Sequence, residues 1–207
     1  SVKAVKRGAS GSPGELRGDF DLTRDLGLLY ANTECGIFGV LPQENRPEAV
    51  GEAIPVARRT EVRTGKAVIL ANCRGDEVCA YEIEIERLYG GSAATRNLLL
   101  RVTDPALIAL TGGIVQGMSG SPIVQDGKLV GAVTHVLLDD PQRGYGILAE
   151  NMLSASGMTA QSAASAMHPQ NGENDGPHSI FVGQTKAAGP EMEKIVRFSL
   201  KNGAFGT

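Results

Sequence analysis

Hydrophobic and polar residues alternate along the segment from Glu77 to Leu88. Apolar side chains at Val78, Ile83 and Ile85 are set against three glutamates at positions 82, 84 and 86. A period of two residues predicts a half-buried β-strand with a charged outer face. Two apolar runs predict further strands, a buried one at residues 64–72 and another at residues 98–102.

The remaining predicted elements are short and are separated by turn residues. A helix is expected at residues 105–110, with proline in its first turn and Asp104 as a candidate cap, and another opens at residues 151–153. Because strands outnumber helices, the fold class is all-β, a barrel or sandwich with short helices. Three more strand segments are predicted at residues 28–41, which include a glycine break, at 54–57 and at 145–148.

Composition is compatible with one aliphatic core. The chain has 207 residues, of which 42% are hydrophobic and 4% aromatic, with no tryptophan. Its 27 glycines indicate many turns and short strands. Beyond position 156 the sequence becomes rich in alanine and serine and then polar. We therefore expect a folded domain over residues 1–155 and a tail of unknown structure over residues 156–207.

Charge and hydropathy exclude several function classes. The formal net charge of −3 gives no reason to expect a nucleic-acid partner. No apolar run approaches the roughly 20 residues that span a bilayer. No signal peptide is visible, and the start at Ser1 rather than methionine suggests a processed or trimmed product.

The three cysteines do not form a complete disulfide framework, because their number is odd. Cys73 and Cys79 could occupy neighbouring strand positions, either as a disulfide or as buried thiols, and both alternatives stay open. Neither these residues nor Cys35 has the ligand spacing of a zinc site, so no metal is expected.

Segment 113–124, GIVQGMSGSPIV, carries the clearest chemical signal. Gly117 and Gly120 flank Ser119 and leave the backbone free of Cβ atoms, so that amide groups can converge while the hydroxyl projects into a cleft. In trypsin-like peptidases such a turn supplies the nucleophile, and the amides of the serine and of the glycine two residues earlier bind the oxyanion. The candidate nucleophile is Ser119, and the candidate oxyanion hole is formed by the amides of Gly117 and Ser119.

An ordinary surface turn is the competing interpretation, since glycine and serine are common turn residues. The residues that follow favour the nucleophile. Asp126 and Gly127 predict a tight hairpin turn, and the β-branched run at 129–136 predicts the second strand. A nucleophile turn that leads into a hairpin is the arrangement that closes the second barrel of a trypsin-like peptidase.

Several segments together closely resemble the SpoIVB peptidase family, which are serine peptidases of endospore-forming bacteria. The resemblance covers about residues 1–155 and implies a chymotrypsin-like double β-barrel, incomplete at its N-terminus in this chain. It also implies a catalytic histidine, aspartate and serine in that chain order. The matching segments are VKRGASGSPGELRG at 5–18, GIFG at 36–39, GGIVQGMSGSPI at 112–123, GAVTHV at 131–136, Asp140-Pro141 and Gly144-Tyr145-Gly146.

The resemblance assigns the catalytic serine to Ser119 and the aspartate to Asp104. In that role the carboxylate would orient the histidine and stabilise the imidazolium. The alternative is that the same carboxylate only caps the short helix that follows it.

The histidine of the family has no counterpart before Asp104 in this sequence. His135 lies within the matching segments and could line the cleft or act as an alternative base, but its chain order is wrong for the family, and a hydrogen-bonded strand residue is the alternative. His168 and His178 lie in the tail, where we expect them to be solvent-exposed. Because a serine hydroxyl needs a positioned base, this chain alone is expected to be nearly inactive, with the family histidine upstream.

The resemblance implies a serine endopeptidase of the sporulation signalling pathway that cleaves a membrane-associated regulatory protein through an acyl-enzyme. It implies neither metal nor organic cofactor. The expected location is extracytoplasmic, between the forespore and mother-cell membranes, with the membrane anchor outside this chain. The alternative is a non-catalytic β-barrel that only binds a partner, and the missing histidine is its support.

Overall fold

The computed structural model describes residues 1–19, 23, 25, 27–42, 54–90 and 95–157. A 3-10 turn lies at Arg59–Glu61. The strands and helices are, in chain order, β1 (Val2–Lys6), β2 (Glu15–Gly18), β3 (Leu28–Thr33), β4 (Gly36–Val40), β5 (Gly65–Arg74), β6 (Glu77–Leu88), β7 (Leu98–Val102), α1 (Pro105–Thr111), β8 (Pro122–Gln125), β9 (Lys128–Val136), β10 (Arg143–Leu148) and α2 (Ala149–Ala155).

Six antiparallel strands close into a barrel in the order β10-β7-β6-β5-β8-β9. β5, β6 and β7 follow one another along the chain, and β8 returns to pair with β5, which is a Greek-key arrangement. The connection from β7 to β8 must therefore cross from one side of the barrel to the other. This connection, residues 103–121, carries α1 and the candidate nucleophile.

The all-β fold class with short helices is confirmed in the described residues. One closed barrel is present, and the N-terminal strands form two separate two-stranded sheets, β1 with β2 and β3 with β4. Asp126 and Gly127 both have positive φ angles, 50° and 74°, as a type I′ hairpin turn between β8 and β9 requires. No helix in the described part of the chain is long and apolar enough to span a membrane.

The barrel interior is aliphatic, because the inward positions of each strand carry branched side chains. Ile85, Leu100 and Ile123 are fully buried, and Leu107 of α1 joins them from the end of the barrel. On the outside, α2 places Met152 against Ala132 and Ile147 in a second small cluster. This outer helix covers the surface of β9 and β10.

Two local predictions need correction. Residues 54–57 do not form a strand, and their pairing is limited to one bridge from Val56 to Leu129. Pro55 can offer only its carbonyl there, which accepts from the amide of Leu129. In addition, β1 and β2, for which no strand was predicted, flank a glycine-rich loop at residues 7–14.

The cysteines are free thiols, so Cys73 and Cys79 form no disulfide in this structure, and of the two Cys73 is buried and Cys79 is partly buried. Cys73 is buried on β5, and burial raises its pKa to about 11. Residues 158–207 lie outside the described part of the chain, and with them most of the predicted tail, including His168 and His178.

Candidate active site

The segment around Ser119 consists of two consecutive β-turns that share Met118. The amide of Met118 donates to the carbonyl of Val115 (3.1 Å), and the amide of Ser121 donates to the carbonyl of Met118 (3.0 Å). Gly117 and Gly120 occupy the third position of each turn, with φ angles of 98° and 90°. A positive φ at that position defines a type II turn and explains why glycine stands on both sides of Ser119.

These two turns decide which backbone amides are engaged. The amide of Gln116 donates to the carbonyl of Gly14 (2.9 Å), and that of Gly120 donates to the carbonyl of Val133 (2.8 Å). Within the described part of the chain, the amides of Gly117 and Ser119 donate to no protein acceptor. They are the two donors that the sequence analysis selected for an oxyanion hole.

The Ser119 hydroxyl lies at the rim of the barrel. Its Oγ donates to the carbonyl of Thr134 on β9 (3.1 Å), which is its hydrogen-bond partner among the described residues. Ser119 itself is partly exposed, whereas the neighbouring Met118 is 1% exposed and fixes the turn to the core. Ser119 is therefore partly exposed next to a residue that is buried in the core.

Thr134 contacts the candidate nucleophile, and sequence reasoning did not single it out. The pairing of β9 with β10 shifts at this residue, since His135 pairs with Tyr145 and Val133 pairs with Gly146. This irregularity turns the Thr134 carbonyl toward Ser119. The buried Thr134 hydroxyl lies 3.1 Å from each of two carbonyls, those of Thr95 and Tyr145.

His135 is placed by the same threonine. Its Nδ1 lies 2.9 Å from the Thr134 hydroxyl oxygen. Which of the two atoms donates depends on the tautomer of the imidazole. His135 is a hydrogen-bonded strand residue next to the residue that holds Ser119.

Asp104 is the N-cap of α1. Its Oδ1 accepts from the amides of Ala106 (2.8 Å) and Leu107 (3.0 Å), and its Oδ2 accepts from the amide of Glu82 (3.2 Å). These contacts satisfy two of the free amides in the first helical turn, as a capping carboxylate does. The capping alternative is thus observed directly.

No hydrogen bond joins Asp104 to Ser119 among the described residues. Asp104 is bonded to β6, and Ser119 is bonded to β9, and these strands occupy opposite positions in the six-stranded ring. A histidine that bridged the two side chains would need a hydrogen bond to each of them. The observed contacts favour the capping role, and the catalytic role of Asp104 stays a prediction.

The loop between β1 and β2 packs against the serine turn and forms hydrogen bonds with its backbone and with the end of α1. The amide of Gly8 donates to Thr111 (2.8 Å), and the amide of Leu16 donates to the carbonyl of Gln116 (2.8 Å). A Cβ atom at Gly14 would lie 2.4 Å from the backbone nitrogen of Gly8 and 2.5 Å from Val115. The glycines of this loop are therefore required by close backbone approach, which composition alone could not reveal.

Ser119 is thus a partly exposed serine on a turn that leads into a β-hairpin, and its own amide and that of Gly117 donate to no described acceptor. The family model of SpoIVB peptidase S55 matches residues 1–153, and the chain belongs to this family. No curated protein matches the chain. A solved structure of similar outline is the inactive form of a mutant of Rv3671c from M. tuberculosis H37Rv. It is 18% identical, with a TM-score of 0.40, and the match covers 63% of this chain and 64% of that one.

Proposed function

We propose that the protein is a serine endopeptidase in which Ser119 is the nucleophile and the amides of Gly117 and Ser119 form the oxyanion hole. The observation that supports this most strongly is the pair of undonated amides on either side of Met118, within a segment matched by a peptidase family. Preorganised donors of this kind contribute about 10²–10³ each to kcat.

The reaction begins when the Ser119 hydroxyl leaves the Thr134 carbonyl and its Oγ attacks the carbonyl carbon of the substrate. The hydroxyl proton passes to a general base, and the oxyanion receives hydrogen bonds from the two amides. Collapse of the tetrahedral intermediate breaks the C–N bond, and the base returns the proton to the leaving amine. Water then hydrolyses the acyl-enzyme by the same sequence of proton transfers.

The general base is the part of the mechanism that these 207 residues do not supply in the family order. We propose that it is a histidine outside them, in an upstream Gly-His segment. This chain alone would then retain only the roughly 10³–10⁴-fold acceleration that the oxyanion hole and substrate binding provide. Asp104 could orient that histidine without giving up its cap on α1, because its Oδ2 accepts one described hydrogen bond and a carboxylate oxygen can accept two.

Family membership also supports a place in sporulation signalling. The substrate would be a membrane-associated regulatory protein, and the site of cleavage would be extracytoplasmic, between the forespore and mother-cell membranes. These assignments follow from the family alone and use no contact within the barrel.

Covalent labelling tests the proposed nucleophile. A fluorophosphonate should label Ser119 in the protein extended upstream to include the Gly-His segment, and mass spectrometry should find the adduct on the peptide that contains residues 113–124. Ser119→Ala should abolish labelling, whereas Ser121→Ala should not, since Ser121 is buried beneath the turn. An extended protein that carries no adduct at Ser119 would refute the mechanism.

The second candidate function is a non-catalytic binding module. The observation that favours it is the hydrogen bond from Ser119 to a backbone carbonyl, with no base in contact with the hydroxyl among the described residues. His135 as an alternative base is tested in the same experiment. His135→Ala in an active extended protein should leave the labelling rate unchanged if the base lies upstream, and a loss of more than about 10²-fold would assign the base to His135.

A further inference from the structure

Two arginines and two tyrosines contact one another on the outer surface of β6, β7 and β10, and we call this group the array. The guanidinium of Arg87 lies 5.9 Å from the centre of the Tyr89 ring, and that of Arg96 lies 5.4 Å from the centre of the Tyr145 ring. The two rings are 6.2 Å apart and tilted by 54°. The array thus places two cations on adjoining aromatic faces, at distances typical of cation–π contacts.

The charges of this array are not neutralised. Neither Arg87 nor Arg96 forms an ion pair with a carboxylate in the described part of the chain, and both residues are exposed. The neighbouring arginines on the same barrel behave differently, because Arg101 and Arg143 both bind Glu86. Aromatic contact holds a guanidinium by its face and leaves its N–H edge available for a carboxylate.

The array is joined to the candidate active site through Thr134. The carbonyl of Thr134 binds the Ser119 hydroxyl, and its own hydroxyl contacts the carbonyls of Tyr145 and Thr95. Tyr145 carries one arginine contact of the array, and Thr95 directly precedes Arg96. Thr134 therefore contacts both the Ser119 hydroxyl and the backbone of the two segments that carry Tyr145 and Arg96.

We propose that Arg87 and Arg96 form a docking site for the carboxylate side chains of a peptide substrate, next to the scissile bond. The proposal rests on the proposed peptidase function, since it specifies the substrate class of the same site. A peptide chain that passes over Thr134 to reach Ser119 would place its acidic residues against the two guanidinium edges. Tyr89 and Tyr145 keep those edges in position and supply an apolar surface for the rest of the peptide.

Peptide binding to the inactive variant Ser119→Ala of this 207-residue chain tests the proposal without any turnover. The probes are a fluorescein-labelled decapeptide of alternating glutamate and alanine, and its counterpart with glutamine in place of glutamate. Fluorescence anisotropy should show that the acidic peptide binds about 3- to 10-fold more tightly than the neutral one, because each exposed ion pair contributes little by itself. The preference should weaken as salt is added.

Substitutions of charged residues test which arginines cause the preference for the acidic peptide. Arg87→Gln combined with Arg96→Gln should remove the preference for the acidic peptide, and the corresponding lysine pair should keep most of it. Arg63→Gln is the matched control, since Arg63 is also exposed but binds Asp126 at the β8–β9 turn. Equal affinity for the two peptides, no binding of either, or an equal loss in the Arg63 control would overturn the proposal.

Labelling separates this proposal from the proposed function. A small fluorophosphonate does not use the array, so the double glutamine variant of the extended protein should be labelled at Ser119 at the wild-type rate. Acidic-peptide preference in a protein that is never labelled would refute the peptidase and leave the docking surface intact. Labelling without the preference would refute the docking surface and leave the peptidase intact.

Discussion

Replacing Asp104 separates a structural carboxylate from a catalytic one, because asparagine and alanine remove different properties. Asparagine keeps an oxygen that can accept from the amides of Ala106 and Leu107 and removes the negative charge. Alanine removes the oxygen as well, and it leaves those two amides and the amide of Glu82 without their acceptor. Asparagine also places its NH2 group against the amide of Glu82 and so loses that one hydrogen bond, and the capping role therefore predicts that alanine is destabilised more than asparagine.

The size of the effect follows from the observed contacts. Loss of a helix N-cap costs about 1 kcal/mol, and at most about 2 kcal/mol, of the free energy of unfolding. The third hydrogen bond, to Glu82 at the end of β6, adds about 1 kcal/mol. For a folded unit of this length, each kcal/mol lowers Tm by about 2–4 °C. Asp104→Ala should therefore lower Tm by about 4–8 °C, and Asp104→Asn, which loses only the hydrogen bond to Glu82, should lower it by about 2–4 °C.

Thermal unfolding followed by circular dichroism measures the first effect, and the rate of fluorophosphonate labelling of the extended protein measures the second. If Asp104 only caps α1, the asparagine variant keeps its labelling rate within a few-fold. If it orients the histidine, the same variant loses activity by about 10⁴ with the same small decrease in Tm. An alanine variant with wild-type Tm, or an asparagine variant destabilised as much as alanine, would show that the capping argument is mistaken.

Three further predictions concern the turn, a buried thiol and an ion pair. Gly117→Ala should destabilise the fold by about 1–2 kcal/mol, because Gly117 has a positive φ, and should reduce the rate of fluorophosphonate labelling by more than about 10²-fold. Gly127→Ala is the control, since Gly127 has a positive φ at a distant hairpin. It should lose stability but keep the labelling rate. Cys73 should resist iodoacetamide at pH 8 in the folded state, since its pKa is raised to about 11, and the stability it contributes should fall as pH rises above about 8.5. A hydrogen bond from Arg143 lowers the pKa of Glu86, so the contribution of Glu86 to stability should be present above about pH 4.3 and be lost below it. Glu86→Gln should remove that part of the pH dependence of stability, as measured by urea unfolding.

The strands of the barrel could be predicted because their sequence patterns are local. Strands are found with the predicted bounds at Glu77–Leu88 and Leu98–Val102. The Asp126–Gly127 turn sets the register of the hairpin that it closes. Each of these sequence patterns spans no more than a dozen residues, and the burial of one face of the strand confirms the strand prediction. The closed order of the six strands could not be obtained in the same way, because it depends on pairings such as β7 with β10 that are distant in sequence.

The serine turn could be predicted as a turn, and its environment could not. The glycines on either side of Ser119 directly indicate the two positive φ angles. The Thr134 carbonyl reaches Ser119 only because the β9–β10 register shifts, and no residue type announces such a shift. The role of Asp104 was ambiguous for another reason, since a carboxylate before a proline is equally suited to a cap and to a catalytic set.

The most direct test of the account is to observe the two amides while Ser119 carries a tetrahedral adduct. In ¹⁵N-labelled extended protein treated with a peptide phosphonate, the amide protons of Gly117 and Ser119 should shift strongly downfield, while that of Gly120, already bonded to Val133, should move little. An adduct on Ser119 that leaves the Gly117 and Ser119 amide protons unmoved would contradict the proposed oxyanion hole.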